Sequence, residues 1–94
     1  MSATNYSVTH NLRESRFEVA LPGEPAVLIY MIRADLIILM HTEVPPEFEG
    51  RGIAAMMAKA VLEFARDNGF KVRSFCSYTT KFIERHKEYQ DLLG

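Results

Sequence analysis

Only one cysteine, Cys76, occurs in the chain, so no internal disulfide can staple it, and a reducing cytoplasm is the expected setting. Neither sign of charge is in excess: 11 Lys and Arg stand against 12 Asp and Glu, interspersed rather than blocked into runs. A polyanion-binding domain needs a basic surplus or bases interleaved with aromatics, so a nucleic-acid partner is not expected. Long apolar runs are missing too. The longest nearly uncharged stretch, Pro25 to Met40, is broken by Arg33 and Asp35 and is too short for a spanning helix, so no membrane partner is expected. The polar opening from Met1 to Tyr6 lacks the apolar segment of a secretion signal. His10, His41, His86 and Cys76 show no zinc-like spacing, so no metal is expected. Internal repeats, linkers and low-complexity tracts are likewise lacking.

What is present fits one α/β domain over residues 1–94. A chain this short buries only about 60–65% of its unfolded surface, so a ligand or a second subunit is expected to add stability, as a monomer or a weak homodimer. Val8, His10 and Leu12 alternate, Arg13-Glu14-Ser15 turns, and Phe17, Val19 and Leu21 resume the period of a strand, which predicts a hairpin. After Pro22 to Pro25, Ala26 to Ile32 reads as a third strand. Leu36 to Val44 reads as a fourth, apolar on both faces over its first half and therefore expected to be covered on both sides. From Gly52 the spacing changes: Ile53, Met56, Met57, Ala60, Val61, Phe64 and Ala65 form one helical face, with Asn68-Gly69 as the stop. Lys71 to Cys76 reads as a fifth strand and Ser77 to His86 as a helix capped by Ser77 or Thr79, with Tyr89, Leu92 and Leu93 tucking a tail onto the core. Met31, Met40, Met56 and Met57 all read as core.

Strand four, the long helix and strand five make a βαβ unit whose crossover brings two strand ends and one helix start to a single rim. His41, Thr42, Glu43, Gly50 to Ala54 and Cys76 to Tyr78 become neighbours there. Gly50 and Gly52 leave amides uncovered by any Cβ, and the helix dipole with Arg51 favours an anion such as a phosphate; alternatively, the glycines only make the turn. Cys76 is either a nucleophilic thiolate or a small buried apolar residue. His41 is a base for Cys76 or for an amine, or else a histidine satisfied by backbone; Glu43, sharing its face, orients it, acts as base itself or is solvated. Lys81, one turn along the last helix, either reaches a ligand's phosphates or is simply exposed.

The run V-P-P-E-F-E-G-R-G-I-A (Val44 to Ala54) ahead of an amphipathic helix resembles motif A of the GNAT N-acetyltransferase superfamily. H-T-E-V-P before it and C-S-Y (Cys76 to Tyr78) after the next strand resemble a small single-domain subgroup, the likeness spanning Ile37 to Leu93. The resemblance implies a mixed, mostly antiparallel five-stranded sheet and acetyl-CoA as co-substrate. Backbone amides of Arg51, Gly52, Ile53 and Ala54 would hold its pyrophosphate, and Thr42 to Val44 would pair through main chain with the pantetheine arm between splayed strands. Ser77 joins this ligand-facing set, Cys76 is the suspected acetyl acceptor, and Tyr78 would protonate the departing CoA thiolate. The superfamily favours Gln or Arg where this chain has Glu49, so either Glu49 faces solvent or CoA affinity is reduced. The implied function is transfer of an acetyl group from CoA to an unknown amine, directly or through Cys76, on an acceptor surface that is shallow or supplied by another subunit. The alternatives are a non-catalytic CoA-binding module and a pure interaction domain.

Overall fold

The computed structural model describes residues 5–94, so most of the polar opening segment lies outside the described residues. Alternating side chains build β1 (Val8–Asn11), β2 (Arg16–Val19), β3 (Ala26–Arg33) and β4 (Leu36–Glu43) as an antiparallel meander, to which β5 (Lys71–Ser74) adds in parallel beside β4. The crossover between β4 and β5 is α1 (Ile53–Asp67), and α2 (Ser77–Arg85) follows β5. Short 3-10 turns occupy Pro46–Phe48 and Lys87–Leu92.

The helix α1 forms because its apolar residues recur every three or four positions. Ile53, Met57, Val61, Leu62 and Ala65 are buried against Phe17, Val19, Leu28, Tyr30, Ile37 and Leu39 of the sheet. Each large side chain so buried stabilises the fold by about 1.5–3 kcal/mol before entropy is counted. The helix stops where Gly69 takes a left-handed φ of 74°, Phe70 N–H donates to the Ala65 carbonyl, and the Asn68 side chain donates to the Phe64 carbonyl at 2.8 Å. Phe82 and Ile83 of α2, with Tyr89 and Leu92, join the same core, and Tyr89 donates to the Glu63 carboxylate at 2.7 Å across to α1.

Several expectations are corrected. The helices all pack on one face of the sheet, so β4 is covered on one side only: Ile29, Met31, Ile38 and Met40 belong to no core cluster, and Met31 and Met40 are 40% and 41% exposed. Met57 alone of the four methionines is fully buried. Leu93 is half exposed, its backbone bridging to Val72 while Tyr89 and Leu92 anchor the tail. Strand β4 also breaks its own period. Tyr30 pairs with Leu39 but Ile29 with His41, which leaves Met40 as an extra residue, a β-bulge that inverts the alternation beyond it.

Candidate active site

The bulge decides which side chains meet. Ile37 and Leu39 face the helices; after Met40 it is Thr42, paired with the buried Leu28, that faces the same way, while His41 and Glu43 turn to the uncovered face and are exposed. His41 is therefore not positioned to deprotonate Cys76, contrary to expectation. Thr42 takes that place instead. The β4–β5 ladder ends at Leu39 and Ser74, with Phe75 N–H donating to the Leu39 carbonyl at 2.9 Å as its last rung. Beyond it, β4 continues through Glu43 paired to β3 alone, while the chain leaves β5 to start α2. The two strands diverge, and Cys76 stands at the base of the gap with its thiol 3.3 Å from the Thr42 hydroxyl oxygen.

Neither Ser77 nor Thr79 caps α2. Cys76 itself is the N-cap, in extended conformation, and its sulfur sits at the positive end of the helix. Burial pushes the Cys76 thiol up, but the Thr42 hydroxyl, the Thr79 amide and hydroxyl and the Tyr78 amide favour the thiolate. Together they outweigh burial, and the net result lies below the ordinary thiol value. The buried Thr79 and half-buried Ser74 hydroxyls share a hydrogen bond at 2.6 Å and lie 3.2 and 3.1 Å from the Cys76 carbonyl, and Thr80 donates to Ser74 at 2.9 Å. This network fixes the turn that carries the sulfur.

The start of α1 is of another kind. Gly50 and Gly52 adopt φ of 82° and 81°, a region that any side chain would strain, and Gly52 as N-cap offers no side-chain acceptor to the first amides. No acidic residue lies in that first turn. Arg51 donates to the Tyr6 hydroxyl at 3.1 Å and lies 5.0 Å over the Phe48 ring, which holds its charge beside the loop. Ile53 is buried and Ala54 partly so, leaving their backbone to carry any polar role. From Gly52 a groove of about 300 Å³ runs between the helices, walled by Ala55, Met56, Lys59, Phe82, His86 and Tyr89 among others. Lys59 and His86 escaped the sequence analysis; the one-turn steps from Gly52 through Ala55 and Met56 to Lys59 were the available signal.

Among the remaining candidates, Ser77 and Lys81 are exposed, and Tyr78 is 38% exposed with its ring 6.3 Å from Phe82. Burial pushes the Tyr78 phenol up, with Arg85 opposing. Glu49 is exposed and lines a cleft of about 600 Å³ with Glu24, Glu43 and Glu47, so the solvent-facing alternative is the one observed. Thr42 and Val44 line that cleft as well. Among the described residues no helix is long and apolar enough to cross a membrane, and no group of three or more His, Cys, Asp or Glu could hold a metal ion.

The sequence model of the family described as GCN5-related N-acetyl-transferase matches residues 16–92. Protein NATD1 of Homo sapiens is 38% identical over 82 residues, covering 84% of this chain and 73% of its own length. Protein NATD1 of Danio rerio is 34% identical over 92 residues, covering 93% of this chain and 84% of its own. The solution structure of a GCN5-like putative N-acetyltransferase from Staphylococcus aureus superposes with a TM-score of 0.76 at 27% identity, covering 98% of this chain and 91% of that one.

Proposed function

This chain belongs to the GCN5-related N-acetyltransferase family, and we propose that it uses acetyl-CoA to acetylate an amine through Cys76. The observation that carries the proposal is the Cys76 sulfur at the base of the β4–β5 gap, held by Thr42 and the first turn of α2. The residues suit such a co-substrate. Free α1 amides and Arg51 match a pyrophosphate, the unpaired edge of β4 at Thr42 to Val44 matches the amides of a pantetheine arm, and Lys59 and His86 border the groove beyond.

In the chemistry proposed, the Cys76 thiolate attacks the thioester carbonyl carbon. The bond from that carbon to the CoA sulfur breaks, and Tyr78, kept protonated by its raised pKa, gives its phenolic proton to the leaving thiolate. An amine then attacks the acetyl-cysteine, the thiolate leaves, and the surplus proton of the amine returns to the Tyr78 phenolate. The N–H of the residues after Cys76 stabilise each thiolate and the oxyanion between them. A free thiol with this role suits a reducing compartment, and we propose the cytoplasm.

Incubation with acetyl-CoA followed by intact-mass measurement tests this. Wild type should gain one acetyl group that hydroxylamine or an added amine removes, and Cys76→Ala should gain none while still binding CoA by calorimetry. Binding without any adduct or amine turnover would leave a CoA-binding module; no binding at all would sink both.

A further inference from the structure

The uncovered face of the sheet has a definite polarity. Registers across the strands place Glu18, Val27 and Glu43 in one row and Ile29 beside His41 in the next; Met31, Ile38 and Arg73 follow, and Arg33, Leu36 and Lys71 end it. The middle sets apolar Ile29, Met31 and Ile38 among Arg16, His41 and Arg73, one end is acidic and the other basic. At the acidic end Glu24, Glu47 and Glu49 of the flanking loops add to Glu43, whereas Glu18 is taken by Arg16. At the basic end stand Arg33, Lys71 and Arg73, with Asp35 in the turn and Asp91 of the tail near Lys71 as the acids. Among the described residues the ion pairs are Arg16–Glu18 and Arg66–Asp91, so Glu43 and Arg33 form none within the chain, while Lys71 and Arg73 donate to the Asp91 and Gly94 carbonyls at 3.1 and 3.4 Å.

We propose that a second copy of this chain covers this face, sheet on sheet, about a two-fold axis lying across the strands. That axis reverses strand direction and leaves strand order unchanged, so Ile29 meets the partner's Met31. The same operation sets Glu43 over the partner's Leu36, between its Arg33 and Lys71. A two-fold axis along the strands would instead set acid on acid. Charge complementarity thus selects one arrangement, and packed sheets accept it with strand directions within about 30° of each other. The eight-residue strands β3 and β4, flanked by the four-residue β2 and β5 at a spacing of about 4.8 Å, present roughly 375 Å² per copy, or about 750 Å² per pair, below the roughly 1,000 Å² of a stable specific interface. The dimer is therefore weak and concentration-dependent.

Sedimentation equilibrium of the full chain checks it. The mass should rise from 10.7 kDa towards twice that value with increasing concentration, and less so at high salt. Met31→Lys, at an exposed position where folding can be verified by circular dichroism, should weaken association at least about tenfold. Glu43→Arg should weaken it as well, and adding Arg33→Glu in the same chain should restore it. A single-chain mass at every concentration, growth beyond two copies, or association indifferent to these substitutions would each overturn the proposal.

Discussion

The two helices start in opposite ways. Helix α1 begins behind Gly52, left-handed and without a side chain, so its first amides stay open to whatever arrives from outside. Helix α2 begins behind Cys76, whose sulfur already sits in the equivalent position, steadied by the Thr42 hydroxyl. In the proposed function the same partial positive charge would serve an incoming anion at one helix and a resident nucleophile at the other. The residue at the cap, rather than the helix, decides which.

Exchanging the caps should break this contrast most visibly. Cys76→Ser keeps a polar cap but replaces the thiol with a hydroxyl that does not ionise near neutral pH, so acetyl transfer should fall by at least about a hundredfold in a thiol-release assay. At the other helix, Gly52→Val should cost about 1–2 kcal/mol in thermal unfolding from the positive φ alone, since nothing lies within 4 Å of an added Cβ. Calorimetry should show CoA binding weakened at least about tenfold, because the loop that aims the amides would shift.

Thr42→Val sharpens the role of the hydroxyl. Its loss removes a bond that favours the thiolate, so the Cys76 thiol should titrate higher, and iodoacetamide alkylation near neutral pH should slow by roughly threefold to tenfold. The sign follows from the charged form: the neutral thiol donates to the hydroxyl oxygen, but a thiolate accepts from the hydroxyl, which valine cannot offer.

The smallest effect concerns how the C-terminal turn is held to α1. Tyr89 spans to Glu63, and burial, then the bond and charge of that carboxylate, push the Tyr89 phenol up to about 12. Its folded value exceeds the ordinary 10.0, so its contribution is complete below pH 10 and is lost as pH climbs towards 12. Ultraviolet titration should find one phenol ionising in that late window, and Tyr89→Phe should remove it at a cost of about 1 kcal/mol.

Much of this was legible in the residues. Alternation gave the hairpins, three- and four-residue spacing gave α1, and the glycine pair with the crossover located the rim, because those features depend on near neighbours. Three features were not. The extra residue at Met40 is invisible in composition, since L-I-I-L-M-H-T-E-V alternates equally well without it; only the pairing with β3 reveals that Thr42, not His41, turns towards Cys76. The uncovered face escaped because Ile29, Met31 and Ile38 are as apolar as any core strand, and hydrophobicity does not say what lies against it. Cys76 as a cap escaped because serine and threonine beside it are the usual choices.

The bulge in β4 has one more consequence. A strand of strict two-residue rhythm would give one flank entirely to the core, and its outer half would then offer an imidazole inward. By slipping a single amino acid out of step, the chain turns one ribbon into two half-strands with opposite handedness of use: greasy support below, chemistry above. Removing Met40 would straighten the ribbon yet leave the threonine turned to the sulfur and the ring to solvent; forcing Met40 into step with β3 would exchange the two.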